Sequence, residues 1–201
     1  MNVIDVYADV RCPYAHFGLR RLVERREAMA VDVRLRVRSW PLELVNDAPL
    51  APLLIEEEVE ALRSQVAPDL FSHFDVTQFP WTSIPALGAT AVAYERGLDT
   101  GERVALALRW ALFEEGRDIA RLDVVNDLLD REGLTLPSAR VLRQLVEGDW
   151  RRGRERGVIG SPHFFAGETS LFCPALDISR VGGELRIADM KSRLDALLVP
   201  A

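Results

Sequence analysis

Apolar and polar positions alternate in different ways along the first forty residues. Residues 3–8 are apolar almost without a break, the pattern of a central strand covered on both faces. Residues 13–30 take up a helical spacing that turns Phe17, Leu22 and Val23 to one side. Residues 31–38, Val-Asp-Val-Arg-Leu-Arg-Val-Arg, alternate strictly, which predicts a strand with one wet face, suited to a sheet edge. Strand, helix and strand within about 36 residues make a βαβ unit with parallel strands and a right-handed crossover.

Beyond Trp40-Pro41 the period becomes helical for more than a hundred residues. A loop through Pro49 and Pro52 leads into a helix over 55–66, a short turn at 71–74 and an aromatic loop, Phe79-Pro80-Trp81. A helix over 84–96 carries Ile84, Leu87, Ala91 and Tyr94 on one stripe and stops before Gly97. The next, over 102–115, is apolar nearly all round and so predicted to be buried. Helices over 124–132, ended by Gly133, and over 137–156 complete the block. Two short aromatic-rich runs, 163–166 and 169–172, flank Gly167-Glu168 and read as a hairpin. A closing helix is expected over 187–198. The skeleton is βαβ, a helical insertion over 41–156, then ββα, with 1–40 and 157–201 forming one α/β domain.

Composition narrows the class. The 201 residues suffice for one good core, and apolar content near half with mean hydropathy near zero describes an ordinary globule. No apolar run approaches the roughly 20 residues of a membrane helix. The chain enters its first strand without a leader-like segment, so the expected location is the cytoplasm. A net charge of −6 argues against nucleic acid as a partner. The arginines at 140, 143, 151, 152, 154 and 156 alternate with acids and are read as a solvated helix face. Two cysteines, Cys12 and Cys173, are too few for a disulfide scaffold and lack zinc spacing. No glycine-rich phosphate loop or nicotinamide fingerprint appears.

The chemistry centres on Asp9-Val10-Arg11-Cys12-Pro13-Tyr14-Ala15-His16-Phe17-Gly18. A thiol at a helix start faces free N–H groups and the positive end of the helix dipole, which favour thiolate and lower its pKa below the usual 8.5 or so. Pro13 suits the first helical position. Cys12 is therefore a candidate nucleophile, set against a cysteine that merely fills a strand-to-helix turn.

The skeleton matches the thioredoxin fold with an inserted helical domain, and Asp9 to Tyr14 with Phe17-Gly18 resembles the active-site turn of the DsbA-like thioredoxin-fold family. Val158-Ile159-Gly160-Ser161-Pro162 resembles that family's loop whose proline is cis and faces the catalytic cysteine. Glu115-Gly116-Arg117-Asp118-Ile119 is similar to a stretch of the cytoplasmic bacterial branch, and the likeness spans essentially the whole chain. It implies catalysis at Cys12. It also implies substrate contacts from Pro13, Tyr14, Ser161, Pro162, Phe164 and Trp81, around a cleft where Phe79 is a further candidate.

Ala15 departs from the pattern, standing where the family carries its second, resolving cysteine. Without that thiol a trapped mixed disulfide is not released by the usual internal attack. Three readings follow. One is a single-thiol oxidoreductase, resolved by a small cellular thiol or by Cys173. The second is a thiol-cofactor enzyme resembling the 2-hydroxychromene-2-carboxylate isomerases and kappa-type glutathione transferases, whose serine stands where this chain has Cys12. The third is a binding module without turnover. Cys173, in Leu171-Phe172-Cys173-Pro174, is expected where such folds bring the chain back beside the cis-proline, and pairing needs Cα atoms about 4.4–6.8 Å apart.

His16, four residues after Cys12, is either a positive partner of the thiolate or a histidine filling a helix face. His163 is read as structural and His73 is unassigned. Asp9 either accepts a proton from the thiol or serves as a helix cap, the second preferred. No cofactor is expected to be held tightly; a low-molecular-weight thiol is the implied co-substrate. Small thiols, disulfides or protein disulfides are the expected partners, and a homodimer is in keeping with the resemblance.

Overall fold

In the computed structural model, described over residues 2–199, β1 (Asn2–Ala8), α1 (Pro13–Ala28) and β2 (Val33–Ser39) form a parallel βαβ unit with Val6 beside Val37. The helix stops two residues short of its expected end because Ala30 turns left-handed, at φ 51°. Six helices follow: α2 (Leu42–Val45), α3 (Pro52–Gln65), α4 (Ile84–Glu95), α5 (Leu98–Phe113), α6 (Leu122–Asp130) and α7 (Ala139–Glu155). Gly97, at φ 136°, ends α4 and lets α5 begin at once, four residues earlier than the periodicity suggests. The chain then re-enters the sheet through β3 (His163–Ala166) and β4 (Thr169–Phe172). The strand order is β2-β1-β3-β4, with β3 antiparallel to β1.

The C-terminal part differs from expectation. Residues 187–198 are not one helix: β5 (Leu176–Val181) and β6 (Glu184–Asp189) form a separate hairpin, and α8 spans only Lys191–Leu198. Gly182 and Gly183, both at positive φ, make the two-residue turn between alternating runs. The hairpin is fastened to α3, because the Gln65 amide donates to the Leu185 carbonyl and accepts from the Ile187 N–H.

The sheet's two faces are sorted by register. Val6, Val37 and Phe164 share the face covered by α1, where Gly18 leaves the Phe164 ring and Ala175 room to approach. Tyr7 and Phe165 share the other face with Trp40 and Val158, beneath α7. The arginines of β2 lie on this second face. They stay part-exposed, as the alternation predicts, but are paired: Arg36 and Arg38 with Asp5, and Arg38 with Asp149 of α7. Of the arginines in and just after α7, Arg143 keeps to an exposed pair with Glu147, whereas Arg156 reaches Asp5 and lies over the Phe165 ring. Burial pushes the Asp5 carboxyl up, but the Arg36 and Arg156 hydrogen bonds outweigh it and hold its pKa below the usual range.

β2 is an edge strand, yet its outer backbone is occupied by side chains. Leu35 N–H donates to Glu102, the Tyr94 hydroxyl donates to the Leu35 carbonyl and accepts from Val37 N–H, and Ser39 N–H donates to Asp149. Three helices thus supply the partners a neighbouring strand would. None of the described helices is long and apolar enough to cross a membrane.

Candidate active site

Where β1 ends, Asp9 organises the turn. Its carboxylate accepts from Arg11 N–H (2.8 Å) and from Leu42 N–H (2.7 Å), while its own N–H donates to Ser161 Oγ (2.9 Å). The cap is therefore on α2, not on α1. Cys12 is the N-cap residue of α1 with extended backbone (φ −80°, ψ 115°), and Pro13 opens the helix. The Cys12 thiol points at the second half of the site, donating to the Ser161 carbonyl at 3.3 Å. The Ser161–Pro162 peptide is cis. The Pro162 carbonyl accepts from Cys173 N–H at 2.8 Å, which seats the second cysteine next to the same loop. Cys173 has left-handed backbone, at φ 43°.

Arg11 reads in sequence as one more charged turn residue; in the structure it is fully buried. Its guanidinium donates to the Pro80 carbonyl and lies against Asp9 and Glu43, and Glu43 in turn accepts from Thr82 and Ser83. One buried cation thereby ties the cysteine turn to the loops that follow β2 and precede α4. Such a cation is tolerable inside a protein only because acids and carbonyls surround it.

Cys12, Pro13, Tyr14, Ser161 and Cys173 line a cavity of about 450 Å³. Leu42, Leu50, Ile55, Phe172 and Ile178 give it apolar walls, and Asn46 and Glu58 add two polar side chains from the helical block. Glu58 is invisible to sequence reasoning, being the third acid of Glu56-Glu57-Glu58, which looks like a solvated helix face. The only signal was its helical phase. Ile55, Val59 and Leu62 are the buried stripe of α3, and Glu58 lies at the stripe's margin.

Three expected substrate-contact residues are off the cavity wall, among them Pro162, which is buried next to Ser161. Trp81 is 78% exposed and is not part of the cavity wall. Phe164 is fully buried beneath α1 as core. The anticipated partnership of His16 with Cys12 is not formed either. His16 is buried, stacked on Phe113, and its Nε2 meets Glu114 at 2.7 Å. Burial lowers its pKa, an effect that Glu114 opposes. Burial also works to raise the Glu114 pKa, but hydrogen bonds from His16, Phe71 N–H and Ser72 N–H prevail and hold it at about 2. That carboxylate is ionised, so His16 Nε2–H must be the donor. The i,i+4 rule fails because Cys12 sits before the helix, not within it.

The thiol also corrects the expectation of a lowered pKa. Cys12 is 4% exposed; burial, and next the nearby Glu58, push it up to about 12. The Ser161 side chain and Ala15 N–H act in the opposite direction without prevailing. A helix terminus contributes at most about 2 kcal/mol, whereas removing a charge from water costs more than that. Cys173 is likewise pushed up to about 12 by burial and then Glu58. Both cysteines are free thiols.

Residues 3–194 match the family described as DSBA-like thioredoxin domain. A proposed protein disulfide isomerase from Nitrosomonas europaea superposes with a TM-score of 0.67 and 14% identity, over 98% of this chain and 95% of that one. The cytosolic disulfide reductase DsbM from Pseudomonas aeruginosa, with GSH, gives 0.59 and 16% over 96% and 92%. A 2-hydroxychromene-2-carboxylate isomerase gives 0.59 and 13% over 85% and 88%. At these identities the likeness is one of fold. The comparison with curated proteins finds no match.

Proposed function

Since this chain belongs to the DSBA-like thioredoxin family, we propose that it is a thiol-dependent oxidoreductase whose attacking group is Cys12. The observation that carries the reading is the single cavity onto which Cys12, the Ser161–Pro162 loop and Cys173 all open. Residues 41–156 act as an insertion that supplies the opposite wall, through Leu42, Asn46, Leu50, Ile55 and Glu58.

The thiol rests protonated, with its hydrogen on the Ser161 carbonyl. When it reacts, the proton leaves and the charge faces Ala15 N–H and the Ser161 hydroxyl. That hydroxyl oxygen already accepts from Asp9 N–H, so its own hydrogen is free to donate. A thiolate of high pKa is scarce but strongly nucleophilic once formed. It attacks one sulfur of a small disulfide, giving the Cys12 mixed disulfide and one free thiol. A second small thiol then attacks the ligand's sulfur of that mixed disulfide, leaves with it as a new disulfide, and returns Cys12 as the free thiol. In the intramolecular route Cys173 attacks the Cys12 sulfur instead, expelling the bound thiol and leaving a Cys12–Cys173 disulfide for an external thiol to reduce.

The second reading is binding of a thiol cofactor without covalent turnover, as in an isomerase or transferase, and the protonated state of Cys12 favours it. Intact mass after incubation with hydroxyethyl disulfide separates the two. The oxidoreductase gives one adduct on the wild type, or in its place the loss of two hydrogens to a Cys12–Cys173 disulfide, and neither on Cys12→Ser. Two unchanged thiols on the wild type, with thiol binding retained in Cys12→Ser, overturn it in favour of the cofactor enzyme.

A further inference from the structure

The cavity at Cys12 holds a charge imbalance that the chemistry at sulfur does not require. Every ionisable side chain on its wall becomes negative on losing a proton: Cys12, Cys173, Tyr14 and Glu58. No lysine, arginine or histidine is among the residues that line it. The cation that acts on Glu58, Arg180 on β5, is engaged by Glu57 through both its terminal nitrogens and by the Gly183 carbonyl. Glu58 has no salt-bridge partner among the described residues, and the groups facing it are the Tyr14 hydroxyl from α1, the two thiols, its neighbour Glu57 and the paired Arg180.

We propose that Glu58 selects the substrate: the site favours small thiols and disulfides that bring an ammonium group close to the reacting sulfur, and disfavours those that bring a carboxylate. This rests on Cys12 being the attacking thiol. A carboxylate on an apolar wall acts across a medium of lower effective dielectric than water, so a single charge on the ligand is felt strongly. An ammonium ion would give Glu58 the counter-ion it lacks; a carboxylate would add a second unpaired anion. Burial pushes the Glu58 carboxyl up to about 7, an effect that Tyr14 and Arg180 only moderate, so the preference is switched by protonation near neutrality.

The reaction used to test this is balanced: Cys12–SH and R–S–S–R give Cys12–S–S–R and R–SH, the thiol proton ending on the departing sulfur. Three disulfides of nearly equal size serve as probes: cystamine, a dication; hydroxyethyl disulfide, neutral; and dithiodipropionate, a dianion. Rates of Cys12 reaction, the adduct and any Cys12–Cys173 disulfide taken together, are read by intact mass, each divided by the hydroxyethyl disulfide rate on the same protein and by the corresponding ratio for a free thiol.

At pH 8 the wild type should prefer cystamine and reject dithiodipropionate by about tenfold each. Glu58→Gln should bring both ratios to near one, and Glu58→Asp should keep the wild-type order. The wild type alone should lose its preference between pH 8 and pH 6, so the test survives a variant that fails to fold. Ratios near one in the wild type, or ratios unchanged in Glu58→Gln, overturn the assignment of Glu58. Absence of both a Cys12 adduct and a Cys12–Cys173 disulfide with all three probes overturns the oxidoreductase reading instead.

Discussion

The Cys12 sulfur lies 3.3 Å from the Ser161 carbonyl oxygen, to which it donates across 149 positions of sequence. Only a protonated thiol makes that contact. It joins the two halves of the site and, with burial, keeps the cysteine in its unreactive form.

The first prediction concerns that thiol. Native Cys12 should be alkylated by iodoacetamide at pH 7 at least about a hundredfold more slowly than the same cysteine in urea, because its pKa is about 12 against roughly 8.5 for a free thiol. The native rate should still be rising at pH 10. Peptide mass spectrometry at Cys12 reads it, and a plateau reached by pH 7 would show a thiolate that the structure does not provide.

Cys173 offers a separate check. After reaction with hydroxyethyl disulfide, non-reducing peptide mapping should find a Cys12–Cys173 crosslink, and Cys173→Ser should hold the mixed disulfide on Cys12 until external thiol is added. A free Cys173 thiol beside a lasting Cys12 mixed disulfide in the reacted wild type would remove Cys173 from the cycle and leave resolution to a small thiol.

The Glu114 carboxylate should govern acid stability. Its folded pKa of about 2 lies below the ordinary 4.5, so its stabilisation is complete above about pH 4.5 and is lost as pH falls toward 2. The contribution at neutral pH is about 3 kcal/mol. Glu114→Gln should lose about that much in urea unfolding at pH 7 and show a flatter acid limb. A variant as stable as the wild type at pH 7 would mean that the bonds to His16, Phe71 and Ser72 carry no net weight.

A packing test is available on α7. A Cβ at Gly153 would come within 2.7 Å of the Trp40 ring and 2.9 Å of Tyr7. Gly153→Ala should therefore destabilise by about 1–3 kcal/mol, although alanine is the better helix former by about 1 kcal/mol. A gain in the urea midpoint would contradict this packing of α7 on the sheet.

What the sequence revealed and what it concealed divide along physical lines. Hydrophobic period exposed the βαβ unit and the β3–β4 hairpin, because both bury a regular face. The Cys12–Pro13 turn was legible from local chemistry. The β5–β6 hairpin was missed although Gly182-Gly183 between alternating runs is a turn signal; Ile187, Leu194 and Leu198 fit a helical spacing equally well. That miss hid Glu58 too, since the hairpin contributes Ile178 to the cavity and is fastened to α3 at Gln65. The Cys12 pKa was misjudged for the same reason: a helix end is a local feature, whereas the burial that overrides it comes from segments more than thirty residues away.

The way β2 is finished has a consequence for assembly. With Tyr94, Glu102 and Asp149 on its outer N–H and C=O groups, that side of the sheet is closed to an incoming chain. Strand addition, whether by an extended peptide or by a second copy, is left the opposite border at β4, which carries the half-exposed Phe172 of the cavity wall. Of the sheet's two borders, β2 is thus finished by side chains, and β4 is the one that lies beside Cys12.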